Sequence, residues 1–126
     1  MESLSPNIFV HDLNKTIEYY NILGFSIVTT VPESGELDWA MMACGKVTVM
    51  FQTFKNLADK LPEISRKEGA SLLLYIQLTG IRSFFETIKN KVPILYGLEK
   101  TFYGATEFSV KDNNGYVLTF AEHEKQ

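Results

Sequence analysis

The stretch EFSVKDNNGYVLTFAE, residues 107–122, decides how this chain is read. Two runs alternating apolar and polar side chains flank Asp112-Asn113-Asn114-Gly115. A period of two marks a half-buried strand. Asn-Gly is a strong hairpin signal because both residues tolerate positive φ. Strands over 106–111 and 116–122, closing as a hairpin, are predicted. A calcium loop is not, because the twelve-position ligand pattern with its closing Glu is absent.

Upstream of the hairpin, residues 71–78 read as a strand, with Thr79 as the expected cap of the next helix. That helix carries Ile81, Phe84, Phe85 and Ile88 at i, i+3, i+4 and i+7, one apolar stripe. Lys89 and Lys91 suit its last turn, and residues 93–98 read as a further strand. The same order stands in the first half. Residues 6–10 read as a strand, Asp12 as an N-cap, and 13 to about 23 as a helix whose Leu13, Ile17 and Tyr20 share one face. Gly24 is the stop. Strands follow over 25–31, 37–43 and 46–54, broken by Pro32-Glu33-Ser34-Gly35 and by Cys44-Gly45. Residues 55–69 are polar, contain Pro62 and Gly69, and read as a linker with one helical turn near 56–60.

The fold class is therefore α+β, built from two βαβββ modules: module one about 5–54, module two about 70–122, in one domain spanning 1–126. Element order repeats although identities barely do. Each module alone leaves a sheet face and two edges open, which predicts that the two pack together.

Composition narrows the function. The chain has 126 residues, long enough for a substantial core. It holds 15 acids against 12 bases and no basic run, which disfavours nucleic acid. No secretory signal or membrane span is read. One cysteine, Cys44, excludes an intramolecular disulfide and points to the cytoplasm. Beside Gly45, at the end of an apolar run, it reads as a buried inert thiol. Aromatic residues make up 13%, enough to line a pocket as well as fill a core.

Asn7-Ile8-Phe9-Val10-His11-Asp12-Leu13, running into Tyr19-Tyr20 and Leu23-Gly24-Phe25, together with the closing hairpin, resembles the vicinal oxygen chelate superfamily. Its members include glyoxalase I, ring-cleaving dioxygenases and bleomycin-resistance proteins. The resemblance covers nearly the whole chain. It implies a cupped, mostly antiparallel sheet with helices on the convex side, a small-molecule ligand in the concave side, and a homodimer. Metal-dependent members place His or Glu ligands on the first, fourth, fifth and eighth strands. Those positions fall here near Ser5 or Asn7, at Gln52 (Phe51 if the register slips by one), at Leu73 and at Thr119. Leu, Thr and neutral amides do not build a divalent metal site. The resemblance thus implies no metal and no cofactor, and neither glyoxalase nor extradiol dioxygenase activity. It is closest to bleomycin-resistance-type binders and uncharacterised glyoxalase-like proteins. His11 and His123 are expected outside the cup strands, as solvated loop and tail residues.

Strand parity proposes the ligand-facing residues. They are Thr48, Met50 and Gln52; Leu73, Tyr75 and Gln77; Glu107 and Ser109; Val117 and Thr119. The expected ligand-binding set is Trp39, Met50, Gln52, Leu73, Tyr75, Glu107 and Thr119. Trp39, the single tryptophan, suits either a core or interface position or a stacking platform. Glu107 suits an exposed strand residue, or an anchor for a cationic or hydroxylated ligand. Apolar walls around it would raise its pKa and make it a candidate general base. Tyr75 and Tyr103 are expected to pack, with an acid role as the alternative. No residue is assigned as catalytic beyond the candidate Glu107. Binding without transformation is the expected function. Metal-independent isomerase or lyase chemistry is the alternative.

Overall fold

The computed structural model describes residues 1–67 and 69–125. The chain divides into two compact units, Met1–Glu68 and Gly69–Gln126. Unit one contains β1 (Asn7–Val10), α1 (Leu13–Ile22), β2 (Ser26–Val31), β3 (Trp39–Cys44), β4 (Val47–Thr53) and the short α2 (Phe54–Leu57). Unit two contains β5 (Leu73–Gln77), α3 (Ile81–Ile88), β6 (Ile94–Lys100), β7 (Ala105–Lys111) and β8 (Val117–His123). Each unit forms a four-stranded mixed sheet, ordered β1-β4-β3-β2 and β5-β8-β7-β6. In each, the first strand lies parallel to the last and the other pairs are antiparallel. The α+β class and the repeated βαβββ order are therefore observed.

In unit one, Asp12 caps α1 by accepting from Lys15 N at 3.0 Å. Leu13, Ile17 and Tyr20 are buried, and Tyr20 lies 4.7 Å from Phe51 and 5.6 Å from Phe25 between ring centroids. Burying one such aromatic side chain is worth about 1.5–3 kcal/mol. Phe51 is fully buried, which settles the β4 register: Phe51 faces α1 and Gln52 faces away. In unit two the stripe on α3 meets β7 and β8. Phe84 lies 4.9 Å from Phe120 and 5.8 Å from Phe108, and Phe85 lies 5.1 Å from Phe108.

Two expectations are corrected and two are refined. Thr79 does not cap α3. The cap position is Gly80, in the left-handed region at φ 81°, which glycine adopts without strain. The carboxylate of Glu122 on β8 supplies the missing acceptor, taking hydrogen bonds from Ile81 N at 3.0 Å and Gly80 N at 3.1 Å. Second, the hairpin turn puts only Gly115 at positive φ, 84°; Asn114 stays negative. Asp112 organises the turn instead, its Oδ1 accepting from Asn114 N at 2.8 Å and Tyr116 N at 2.9 Å. Third, Cys44 is exposed rather than buried, because it is the last residue of β3 beside the Gly45 turn. Fourth, residues 55–67 carry the expected helical turn, slightly earlier than read, at α2, and are tied down by side-chain bonds. Thr53 caps α2 through Asn56 N, and the Arg66 guanidinium donates to the carbonyls of Ala58, Lys60, Leu61 and Ile64. Glu68, within the predicted linker, lies outside the described residues.

Candidate functional site

Parity along β8 sorts unit two into a closed and an open face. Leu118 and Phe120 point into the core, so Thr119, Ala121 and His123 share the other side. The pairing places Tyr75 beside Thr119, Gln77 beside Ala121, Glu107 beside Ala121, and Ser109 beside Thr119. Ala121 is fully buried although it lies on this face, so taller neighbours stand over it. A methyl group there leaves space in which they meet.

They do meet. The Tyr75 hydroxyl crosses β8 and donates to Glu107 Oε2 at 2.5 Å. Tyr103, from the β6–β7 turn, donates to the same oxygen at 2.5 Å. Phenol-to-carboxylate bonds of this length are charge-assisted and among the stronger hydrogen bonds in proteins. His123 Nε2 lies 3.0 Å from the Tyr75 hydroxyl. Tyr75 has one proton and gives it to Glu107, so its oxygen accepts from His123. Hydrogen-bond arithmetic thereby assigns the Nε2–H form of the ring. Tyr75 and Tyr103 remain 42% and 50% exposed.

The turn that delivers Tyr103 is braced. Thr101 N donates to Ala105 O at 2.8 Å, and Ala105 N donates back to Thr101 Oγ1 at 3.0 Å. Glu124 N holds Gly104 O at 2.8 Å, while the Glu124 carboxylate pairs with Lys100 at 2.9 Å. Both phenols resist ionisation. For Tyr75, desolvation of the hydroxyl leads, followed by the hydrogen bond to Glu107 and the charge of that carboxylate. For Tyr103 the hydrogen bond to Glu107 comes first.

Leu73 is half exposed and pairs with Val117, while Thr119 shares a 2.8 Å hydrogen bond with Ser109. In unit one the open face carries Trp39, Met50 and Gln52. Trp39 is the register partner of Gln52, and Met50 pairs with Met41 and Asn7. Asn7 Nδ2 donates to Gln52 Oε1 at 3.0 Å, and Gln52 Nε2 donates to Asn56 Oδ1 at 2.8 Å. Ser5 Oγ meets Thr48 Oγ1 at 2.8 Å.

A family model, Glyoxalase/Bleomycin resistance protein/Dioxygenase superfamily, matches residues 4–120. The chain belongs to this superfamily. Among solved structures it is similar to a bleomycin resistance determinant encoded on transposon Tn5, with TM-score 0.71 and 20% identity over 99% of this chain and 100% of that one. It is similar to a bleomycin-binding protein complexed with bleomycin, with TM-score 0.69 and 20% identity over 98% and 100%. A protein of unknown function from Agrobacterium tumefaciens str. C58 gives TM-score 0.79 and 22% identity over 98% and 95%. At these identities the likeness is one of fold. No curated protein matches by sequence.

The metal that some members of this superfamily use does not fit the residues present. The corresponding positions offer Ser5 or Asn7, Gln52, Leu73 and Thr119, and the polar ones are spent on one another or on neighbouring side chains. Among the described residues, no group of three or more His, Cys, Asp or Glu gathers to hold a metal ion. No described helix is long and apolar enough to cross a membrane.

Two placements depart from the sequence reading. His123 is not a tail residue: β8 runs through it, and parity counted from Thr119 puts it on the open face. Counting two residues further along the strand would have found it. Tyr75 and Tyr103 are not packing residues, since both hydroxyls converge on Glu107. Glu99, the β6 register partner of Glu107, was missed because the predicted strand stops at residue 98, whereas β6 runs on to Lys100.

Proposed function

We propose that this member of the superfamily binds a small organic molecule without a metal, against the open sheet face that carries Tyr75, Tyr103, Glu107 and His123. The observation that carries the reading is the convergence of two phenols on one oxygen of Glu107. Such a cluster on a solvent-facing strand surface contributes little to the core, and it concentrates polar groups among aromatic rings as ligand sites do. Bleomycin-binding and bleomycin-resistance proteins of the same fold support the binding class. Leu73 and Thr119 extend the face in unit two. On unit one taken by itself, Trp39, Met50 and Gln52 are proposed as ligand-facing, the tryptophan and methionine supplying apolar contact. A cytoplasmic homodimer fits this reading. Ile27, Val28 and Val31 on edge strand β2 are exposed apolar surface that a second copy would cover.

The test is a thermal-shift and amide-shift screen of small aromatic compounds. Binders that move the resonances of Tyr75, Tyr103 and Glu107 support the reading. A screen whose binders all leave those residues unmoved refutes it.

The Tyr75–Glu107–Tyr103 cluster also favours a second reading, metal-independent isomerase or lyase chemistry with Glu107 as general base. Its second oxygen would take a proton from carbon. In that case Glu107→Gln abolishes turnover of a bound compound and leaves its binding nearly intact. A variant that turns over normally removes this reading.

A further inference from the structure

We infer that the Glu107 face selects a cationic, N–H-donating head group, an amidinium or a protonated amine carried on an aromatic ring, and rejects oxyanions. The inference deepens the binding reading above and rests on it. It follows from counting protons. The hydroxyls of Tyr75 and Tyr103 are both spent on Glu107 Oε2. His123 Nε2–H is spent on the Tyr75 oxygen. Glu107 Oε1 has no hydrogen-bond partner among the described residues. The Ser109–Thr119 hydroxyl pair uses one of its two protons internally, leaving a single neutral donor. What the face offers a visitor is therefore mostly acceptors and one formal negative charge.

The surroundings reinforce that sign. Glu99 is the cross-strand partner of Glu107, and both border a hollow of about 180 Å³ that also touches Tyr96, Thr101 and Ser109. That volume suits a head group rather than a whole drug-sized molecule. The nearby cation, Lys100, is already paired with Glu124 at 2.9 Å. Tyr75, Tyr96 and Tyr103 are all exposed and offer ring faces to a cation. An enediolate, carboxylate or phosphate here would meet two carboxylates and no cluster of free donors.

Three isosteres differing in charge test the inference: benzamidine, benzamide and benzoate, each titrated into the full chain while backbone amide shifts are recorded. Benzamidine is expected to perturb residues 96–107 and His123, to bind at least about tenfold more tightly than benzamide, and to leave benzoate without measurable binding. Glu107→Gln is expected to lower benzamidine affinity by about tenfold and benzamide affinity by much less. Should that variant fail to fold, the exposed Glu99→Gln is expected to give a smaller loss of the same sign. Benzamide or benzoate binding the face as well as benzamidine overturns the cation preference and leaves the binding reading standing. Benzamidine affinity indifferent to both substitutions also overturns it. If none of the three perturbs this face, the cation preference falls. The binding reading then falls as well unless the wider aromatic screen finds a ligand there.

Discussion

Glu122, on the last strand, caps the helix that begins at Ile81, its Oε1 accepting from Ile81 N at 3.0 Å and also from Gly80 N. A helix N-terminus leaves amide donors unsatisfied and carries partial positive charge. A carboxylate placed there from another element ties α3 to β8. Those two hydrogen bonds hold the Glu122 carboxyl below the usual carboxylate range.

Glu122→Gln is accordingly expected to lower Tm at neutral pH. A group whose folded pKa is depressed stabilises fully above its unfolded value and loses that contribution as pH falls through the folded value. The gap between wild type and variant should therefore begin to narrow below about pH 4 and close only once the pH has fallen through the depressed folded value, where both side chains are neutral. Thermal denaturation followed by circular dichroism from pH 7 to pH 2.5 measures this. A gap that stays constant into acid would mean that the Glu122 charge contributes nothing to the cap.

The capping pattern also shows what could be read from sequence. Periodicity located the two longer helices, α1 and α3, because Leu13, Ile17 and Tyr20, and Ile81, Phe84, Phe85 and Ile88, are local patterns with one solution. The alternation in Phe108, Val110, Leu118 and Phe120 located the closing hairpin for the same reason. The cap of α3 was not legible, because its acceptor lies on another strand, many residues away. The site divides the same way. Parity placed Tyr75, Glu107 and Thr119 on one face, whereas the bond from Tyr103 depends on the path of the β6–β7 turn. No local rule predicts where that hydroxyl lands.

Tyr75 and Tyr103 should ionise late in alkali. Both phenols have pKa values raised above the ordinary tyrosine value of 10.0. A raised folded pKa stabilises fully below the unfolded value, and the contribution is lost as pH rises from there through the folded value. Spectrophotometric titration at 295 nm should show fewer tyrosinates at pH 11 in folded than in denatured protein. Above pH 10 wild type should lose stability more steeply than Tyr75→Phe, which has no proton to lose at that position. Matching alkaline slopes would show that the Tyr75–Glu107 bond is not maintained in solution.

Phe108 is the keystone of the unit-two core. It is 1% exposed and contacts the rings of Phe84, Phe85 and Phe120. Phe108→Ala is expected to cost about 3–5 kcal/mol, combining lost transfer energy with the cavity left behind. Phe108→Leu retains most of the volume and should cost markedly less. Urea denaturation resolves the two. Equal losses would mean that ring geometry, not volume, holds this core together.

Asp112 is nearly buried and its Oδ1 accepts two backbone amides of the hairpin turn, from Asn114 and Tyr116. Asp112→Ala strands those donors and should cost about 1–3 kcal/mol. Asp112→Asn keeps an acceptor oxygen in place and should recover much of that loss. Chemical denaturation of the pair is the check. An Asn variant as unstable as the Ala variant would show that charge, rather than the acceptor geometry, governs the turn.

Added divalent metal should leave the protein unchanged. A ligand that binds only the folded state raises stability in proportion to the logarithm of its concentration over Kd, so saturating metal at a true site is visible in a melting curve. The residues argue against such a site: Asn7 and Gln52 are bonded to each other, Thr119 is bonded to Ser109, and Leu73 carries no donor atom. Melting in EDTA and in excess zinc, nickel or manganese should give the same Tm within about 1 °C, a shift corresponding to only a fraction of a kcal/mol for a domain of this size. Elemental analysis of protein purified without chelator should find no stoichiometric transition metal. A metal that raises Tm by several degrees would place the chemistry of this chain with the metal-dependent members of its superfamily, and would demand a ligand set built from residues other than Asn7, Gln52, Leu73 and Thr119.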